Sequence, residues 1–315
     1  MKLRKLGDTG LLASEVSLGT AEIGFDYGFK GSSHYSRPSL QDSIRLIHRA
    51  LDLGINWVDT ARAYGNSEEI IGQALQGTSL KPHIATKVRL DSEVLKSGDA
   101  TSLCKEIVHS IEESLRALQI DSIDLLYIHN ATPEILRQTV IRDSLEEAER
   151  KERIQVVGAT CYQEESALAV MEDPLFRVLQ VPFSLLNQRM SQRVFPEASR
   201  KGVGLFVRSV FLRGVLTPQI VSLPQRLAPL RHQASKILNV LGQEVDGLAE
   251  AAVRFCLSLP AISSVLMGLK NEAELESNLS ILTRGNLPEA LMTILETLSI
   301  EDQTLVDPTY WQDLI

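Results

Sequence analysis

The chain has 315 residues, of which 44% are hydrophobic, and a formal net charge of −8 at pH 7. This composition suits a globular protein with a sizeable core, and its acidic balance argues against broad nucleic-acid binding. Three widely separated cysteines, with no CxxC pair and no cysteine–histidine cluster, argue against a disulfide framework and against a metal site.

The N-terminal stretch MKLRKLGDTGLLAS lacks the continuous apolar segment of a signal peptide. No run of the sequence approaches the roughly 20 apolar residues that a membrane-spanning helix needs. An odd number of scattered cysteines fits a reducing compartment. We therefore expect a cytoplasmic protein with neither a membrane partner nor a nucleic-acid partner.

Short apolar runs alternate with helical patterns along the chain. Residues 1–12 contain two short patches around a Gly-Asp-Thr-Gly turn, which predicts a small hairpin. Eight later runs have the length and apolar character of buried parallel strands: EVSLGT, GINWVD, HIATKV, SIDLLYIH, IQVVGAT, RVLQVPF, GVGLFVRS and AISSVLMG. Eight strand–helix alternations predict one (β/α)8 TIM barrel domain over residues 1–315. An open doubly wound sheet is the main competitor, but the Gly-x-Gly-x-x-Gly turn that usually follows its first strand is missing here.

Helix and loop signals lie between these strands. In residues 101–118, leucine and isoleucine recur at the spacing of one helix face. Ser39 followed by Asp42 resembles a capping box, and Asn66 with Glu69 predicts a second one. Two long connections, 25–36 after the first barrel strand and 213–247 after the seventh, are expected to carry binding residues.

Four chemically different residues lie at or just after the ends of successive predicted strands: Asp59, Tyr64, Lys87 and His129. In such a barrel the C-terminal ends of the strands open at one mouth. A lysine ammonium beside a phenol favours release of the phenolic proton, and an aspartate can hold that lysine charged. A histidine can donate a hydrogen bond to a substrate carbonyl. The set predicts carbonyl reduction by general acid catalysis. Each residue alone also has a structural interpretation, and Lys87 could instead be the Schiff-base lysine of an aldolase.

The phrase GINWVDTARAYGNSEEIIGQAL, followed by IATKV and LLYIH, resembles the aldo-keto reductase family, and the resemblance covers essentially the whole chain. It implies a (β/α)8 barrel, a catalytic tetrad of Asp59, Tyr64, Lys87 and His129, and hydride transfer from a nicotinamide cofactor. Tyr64 would be the general acid. The combination of LGTA, DYG and VRSVFLRG resembles a bacterial branch of the family.

The resemblance also implies a cofactor site. The segment SSVLMGLKNEAELESNL is similar to the family's segment after the eighth strand, which binds the adenosine 2′-phosphate. There Lys270 matches the usual basic residue and Asn278 the usual asparagine, while Glu274 stands where glutamine is common. The match favours NADPH (NADP+) over NADH. The resemblance further assigns to the cofactor Gly19, Thr20, Ala21, Asp59, Thr160, Cys161, Gln180, Arg208, Ser209, Phe211, Leu212, Gly214 and Gly268.

Two of these residues depart from the family's pattern. Cys161 replaces an asparagine, and a thiol forms only weak hydrogen bonds. Arg208 replaces the aromatic residue that commonly stacks on the nicotinamide. A guanidinium can also stack on a ring, so Arg208 could favour the reduced cofactor, or it could turn away and bind an anionic substrate.

The substrate is expected to be a small carbonyl compound that contacts Phe25, Tyr27, Phe29, Asn130 and Trp311. The aromatic loop, which also includes His34 and Tyr35, could form a wall of the pocket or could simply pack on itself. We expect a monomer or a weak homo-oligomer. One alternative function is an NADPH-binding regulatory or redox-sensing protein with little catalysis.

Overall fold

Eight parallel strands close into a barrel in the computed structural model, which describes residues 1–30, 35–243 and 245–314. Each barrel strand pairs with its neighbour in sequence, and the last pairs with the first. The hairpin strands are β1 (Leu3–Lys5) and β2 (Leu12–Ser14), and the barrel strands are β3 (Val16–Gly19), β4 (Trp57–Asp59), β5 (His83–Val88), β6 (Ile123–Ile128), β7 (Ile154–Thr160), β8 (Phe176–Pro182), β9 (Gly204–Arg208) and β10 (Ser264–Gly268). All eight runs expected from the sequence are barrel strands, which confirms the (β/α)8 fold.

The β1–β2 hairpin covers the N-terminal end of the barrel. The indole Nε1 of Trp57 donates to the carbonyl of Leu12 at 3.0 Å. Leu6 is fully buried and packs so closely on Gly204 that an added Cβ there would lie 2.6 Å from its Cδ1. Apolar side chains fill this end of the barrel interior, so the opposite mouth is the place to look for polar residues inside the barrel.

The inward face of the strands explains how polar residues reach that mouth. Trp57 of β4 and Ala85 of β5 belong to the apolar cluster inside the barrel. Side chains of a strand return to the same face every second residue. Asp59 and Lys87 therefore also point inward, one layer closer to the C-terminal end of the strands.

Helices surround the barrel. The α-helices are α1 (Ala21–Gly24), α2 (Leu40–Asp52), α3 (Ser67–Leu75), α4 (Ser92–Ser97), α5 (Ala100–Leu118), α6 (Pro133–Leu136), α7 (Thr139–Arg150), α8 (Glu164–Val170), α9 (Val194–Lys201), α10 (Ala228–Leu241), α11 (Gly247–Leu257), α12 (Glu272–Ser280), α13 (Glu289–Glu296) and α14 (Gln303–Val306). Short 3-10 helices span Arg189–Ser191, Leu212–Gly214, Pro218–Ser222, Gln225–Leu227, Ile281–Arg284 and Pro308–Trp311. Among the helices described, none is long and apolar enough to cross a membrane.

The helix signals were right in two of three cases. Helix α5 buries the predicted apolar face, and α2 begins after Ser39, whose hydroxyl accepts from the backbone N–H of Asp42 at 3.2 Å. Asn66 does occupy the N-cap position of α3, but the capping box predicted there is wrong. Its side chain makes no capping bond, and its Oδ1 accepts instead from Arg37 Nη1 at 2.9 Å. The side chain of Asn66 is thus used by Arg37, 29 residues away, and not by the backbone of the helix that it precedes.

Candidate active site

A buried ion pair lies at the C-terminal mouth of the barrel. Lys87 Nζ donates to Asp59 Oδ1 at 2.5 Å and to the carbonyl of Thr60 at 2.7 Å. Gln180 Nε2, on β8, donates to the other carboxylate oxygen of Asp59 at 2.7 Å. Lys87 is 1% exposed and Asp59 2%. Buried charges are tolerated only when their remaining hydrogen-bonding atoms are satisfied, and these bonds meet that condition.

The ion pair keeps Lys87 charged. Burial lowers the pKa of this amine, but the Asp59 carboxylate and Tyr64 more than offset that effect, so its pKa is raised overall. A Schiff-base lysine must lose its proton before it attacks a carbonyl. The arrangement therefore disfavours the aldolase alternative and leaves Lys87 as a fixed ammonium ion.

Tyr64 lies between Lys87 and His129. Lys87 Nζ is 4.8 Å from the centroid of the Tyr64 ring, and the rings of Tyr64 and His129 are nearly perpendicular with centroids 6.1 Å apart. The four residues that the sequence singled out thus form one continuous series of contacts from Asp59 to His129.

Two glycines allow the loop that carries Tyr64 to approach the loop after β3. A Cβ added at Gly24 would lie 1.8 Å from the carbonyl oxygen of Tyr64. Gly65 has φ +56°, and a Cβ there would lie 2.3 Å from the carbonyl oxygen of Gly24. Only glycine fits this close approach of two backbones.

Glu68 links the Tyr64 loop to the strand of Lys87. This carboxylate is 1% exposed, and its oxygens accept from Thr86 Oγ1 and from Arg62 Nη1, both at 2.6 Å. Thr86 directly precedes Lys87. Glu68 gave no functional signal in the sequence, because an acidic residue in the first turn of a helix has an ordinary explanation in the helix dipole.

His129 is neutral and retains an unused ring nitrogen. Its backbone N–H donates to the carbonyl of Val88 at 2.8 Å, but its buried Nδ1 has no hydrogen-bond partner among the described residues. Burial, followed by the positive charges of Lys87, Arg208 and Arg89, lowers its pKa to about 3. A neutral imidazole can donate from one nitrogen and accept at the other. Such an orphaned atom beside Tyr64 is suited to a ligand oxygen.

Several residues expected to contact the cofactor have protein partners at this mouth. Thr20 Oγ1 donates to the carbonyl of Asp59 at 2.9 Å, and Thr160 Oγ1 accepts from the backbone N–H of Asn130 at 2.8 Å. Cys161 is fully buried, and burial raises the pKa of its thiol to about 12. The amide nitrogen of Gln180 is committed to Asp59. These polar side chains therefore hold one another in place through hydrogen bonds at the mouth.

Arg208, at the end of β9, stacks on a neighbouring side chain. Its guanidinium carbon lies 4.1 Å from the centroid of the Tyr162 ring, and Nη1 donates to Ser209 Oγ at 3.4 Å. The following loop is strained, since Ser209, Leu212 and Arg213 have φ values of 62°, 46° and 54°. Residues in this left-handed region cost about 1–2 kcal/mol each and concentrate at functional segments. Phe211 packs on the core, and Gly214, with φ +93°, completes the turn.

Lys270 contacts the loop after β3. Its ammonium donates to the backbone carbonyls of Tyr27, Tyr35 and Ser36 at 3.0, 3.1 and 3.3 Å. Its backbone N–H donates to Glu274 Oε2 at 3.0 Å. Gly268 ends β10 and Asn278 lies half-buried on α12, so the segment expected to bind adenosine phosphate lies beside the aromatic loop.

The aromatic side chains of the loop after β3 pack in two places, some at the mouth and one against the C-terminal tail. Phe25 lies 6.1 Å from Tyr64 between ring centroids, and Tyr27 lies beneath the guanidinium of Arg213 at 4.1 Å. Phe29 instead stacks on Trp311 at 5.8 Å. Trp311 is fully buried and donates from Nε1 to the carbonyl of Thr304, so it has no exposed face for a substrate. His34 lies outside the described residues.

Other parts of the fold lack a comparable group of functional side chains among the described residues. The described residues contain no group of three or more side chains suited to a metal ion. A groove of about 890 Å³ lies on the outer wall of the barrel, between α9 and the C-terminal segment, and includes none of the four mouth residues. The mouth therefore remains the candidate active site.

Comparison with known proteins agrees with the fold. The sequence model described as "Aldo/keto reductase family" matches residues 15–300. The chain is 27% identical to aldo-keto reductase YhdN of Bacillus subtilis (strain 168), covering 98% of this chain and 96% of that protein. It is 27% identical to the NADH-specific methylglyoxal reductase of Escherichia coli (strain K12), covering 95% and 94%. The solved structure of aldo-keto reductase AKR11C1 from Bacillus halodurans (holo form) has a TM-score of 0.79 at 23% identity and covers 96% of this chain and 99% of that chain, which shows the same fold.

Proposed function

Because this chain belongs to the aldo/keto reductase family, whose members are oxidoreductases of carbonyl compounds, we propose that it is an NADPH-dependent reductase of an aldehyde or ketone. Tyr64 is the proposed general acid. The observation that carries the proposal is the series of contacts in which Asp59 binds Lys87, Lys87 lies against Tyr64, and Tyr64 lies against His129. A small carbonyl compound is the proposed partner, and the barrel is proposed to act as a single domain.

The proton chemistry follows from the charges of these groups. The fixed ammonium of Lys87 stabilises the phenolate that forms when Tyr64 releases its proton. Asp59 orients that ammonium through the bond to Nζ. Neutral His129 donates a hydrogen bond to the substrate oxygen and places it within reach of the Tyr64 hydroxyl. The proton moves from Tyr64 to this oxygen, which becomes the hydroxyl of the alcohol.

A nicotinamide nucleotide fits the remaining polar groups. When bound, the reduced cofactor supplies a hydride to the carbonyl carbon. Arg213 Nε is buried and has no hydrogen-bond partner among the described residues, which suits an anionic ligand. Lys270, at the loop after β10, is proposed to bind the 2′-phosphate, and this supports NADPH as the cofactor. Gly19, Thr20, Ala21, Thr160, Gln180, Ser209, Leu212, Gly214 and Asn278 are proposed to complete the site.

A second function has one specific observation in its favour. At the position of an expected amide, Cys161 presents a buried, protonated thiol, and the amide of Gln180 is already bonded to Asp59. Weak anchoring of the nicotinamide would suit an NADPH-binding regulatory protein with slow catalysis.

One experiment separates the two functions. NADPH binding is titrated by protein fluorescence, and NADPH oxidation is then followed by stopped flow with a panel of aldehydes and ketones. We expect tight binding and oxidation with at least one carbonyl compound. Tyr64→Phe should bind NADPH normally and lose most of the reduction. Tight binding without turnover across the panel supports the regulatory protein, and full activity of Tyr64→Phe contradicts the mechanism.

A further inference from the structure

Glu22 lies where three candidate nucleotide-binding segments meet. It is the second residue of α1, directly after the turn that ends β3. A Cβ added at Gly268 would lie 2.5 Å from Glu22 Oε1, so this carboxylate covers the end of β10. Arg213 from the loop after β9 and Lys270 from the loop after β10 both act on it electrostatically. A carboxylate therefore lies within the group of cations proposed to receive the phosphates.

Ionisation of Glu22 changes the net charge of this group of side chains by one unit. Lys270 and Arg213 are the cations that act on Glu22, and Glu274, which accepts from the backbone of Lys270 at 3.0 Å, is a second carboxylate. Asp26 is a third carboxylate, which acts on Lys270. Burial raises the pKa of the Tyr27 phenol, so Tyr27 stays neutral. Ionised Glu22 therefore adds one negative charge to two cations and two other carboxylates.

The negative charge of ionised Glu22 matters more for one nucleotide than for the other. NADPH and NADH share the pyrophosphate, but NADPH also carries a 2′-phosphate, which is mostly a dianion above pH 6. A like charge at a distance of several ångströms from that dianion opposes binding, and the effect is strong where the surroundings are poorly solvated. The position of Glu22 allows its charge to weaken the binding of NADPH more than the binding of NADH.

We propose that Glu22 determines the preference of this chain between NADPH and NADH, because its ionised carboxylate opposes binding of the 2′-phosphate. The inference rests on the proposed function, since it requires that a nicotinamide nucleotide binds at this mouth. Burial raises the pKa of Glu22 to about 7, which places its charge change in the neutral range. NADPH binding then takes up a proton, and its affinity falls as the pH rises through 7.

The test measures nucleotide binding alone. Dissociation constants of NADPH and NADH are measured by nucleotide fluorescence at pH 6.5, 7.5 and 8.5 for the unmodified chain and for Glu22→Gln. The matched control is Glu276→Gln, which removes an exposed carboxylate of α12 that pairs with Arg49. Thermal melting of each variant establishes that it is folded, and Glu22→Ala provides a second variant with the same loss of charge.

The expected result is that Glu22→Gln strengthens NADPH binding by at least about tenfold at pH 8.5 and changes NADH binding much less. In Glu22→Gln, the ratio of the NADPH and NADH dissociation constants should no longer change with pH. Glu276→Gln should behave like the unmodified chain. If both nucleotides bind but neither Glu22 variant changes the ratio of their dissociation constants, the inference is overturned while the proposed function stands. If neither nucleotide binds to any form of the chain, the proposed function itself fails.

Discussion

Lys87 Nζ lies 2.5 Å from Asp59 Oδ1, and both side chains are almost completely buried. The contact joins the end of β4 to β5, so it ties the charge at the mouth to the framework of the barrel. Removing one partner of a buried pair leaves the other uncompensated, which typically costs about 3–5 kcal/mol.

Asp59→Asn should therefore destabilise the fold as well as impair carbonyl reduction. We expect a loss of about 3 kcal/mol in the free energy of unfolding, measured by urea denaturation at pH 7. The control is Glu93→Gln, which removes one member of the exposed pair with Lys96 and should change little. Equal stability of Asp59→Asn and the unmodified chain would show that the pair is not buried as described.

His129 should make the stability depend on pH. Its pKa is about 3 in the folded chain and has an ordinary value of 6.5 when unfolded. Between these values the unfolded chain binds a proton that the folded chain does not. The His129 contribution to stability is therefore complete above pH 6.5 and falls as the pH drops toward 3, with a slope of at most about 1.4 kcal/mol per pH unit.

The measurement is urea denaturation of the unmodified chain and of His129→Gln from pH 6.5 to 4.5. The glutamine variant should lose less stability over this range, because it removes the titrating group. Parallel curves for the two proteins would show that His129 titrates normally in the folded state.

Glu68→Gln should lower turnover without weakening cofactor binding. Glu68 connects the Tyr64 loop to Thr86, and its hydrogen bonds within the described part of the chain go to Thr86 and Arg62 rather than to proposed cofactor residues. We expect kcat to fall about tenfold, in the range of an error in positioning. The nucleotide dissociation constant should stay unchanged. Glu69→Gln, an exposed neighbour on the same helix, is the control. A combined loss of binding and turnover would assign Glu68 a general structural role.

Gly24→Ala should displace the Tyr64 loop. The added Cβ would meet the carbonyl oxygen of Tyr64 at 1.8 Å, so one of the two backbones must move. We expect loss of carbonyl reduction together with a lower melting temperature. Gly98→Ala is the comparison, since nothing lies within 4 Å of its Cβ and only its φ of +65° is unfavourable. If Gly24→Ala retained full activity, the close approach of the two loops would not be required.

Arg208→Tyr tests the role of the arginine at the mouth. Arg208 stacks on Tyr162 and, among the described residues, makes a single long hydrogen bond to Ser209, so its charge can reach a bound anion. We expect the variant to lose activity toward carboxylate-bearing aldehydes by about tenfold relative to neutral ones. Tyr162→Phe keeps the stacked ring and serves as the control. An unchanged substrate preference and an unchanged NADP+/NADPH affinity ratio would leave Arg208 without either proposed role.

Local sequence patterns were enough to predict the barrel and the four polar residues at the ends of its strands. Each of the eight strands is a short apolar run that the chain buries. Asp59 and Lys87 lie at the C-terminal ends of two of these strands, and Tyr64 and His129 lie after strand ends. Strand alternation and the common direction of parallel strands are enough to bring their side chains to one mouth. These are short-range rules, so they can be applied to the sequence without coordinates.

The partners of individual polar groups depended on tertiary structure. Gln180 bonds to Asp59, 121 residues away, and Lys270 donates to Tyr27, 243 residues away. Glu22 showed no signal in the sequence, because it becomes partly buried only when the segments after β9 and β10 pack beside it. The sequence by itself indicated that Asp59, Tyr64, Lys87 and His129 meet at the mouth, but it gave no signal for Glu68 or Glu22. Only the folded chain decided which polar residues satisfy one another and which remain available to a ligand, because hydrogen bonds and burial depend on distances between segments that are remote along the chain.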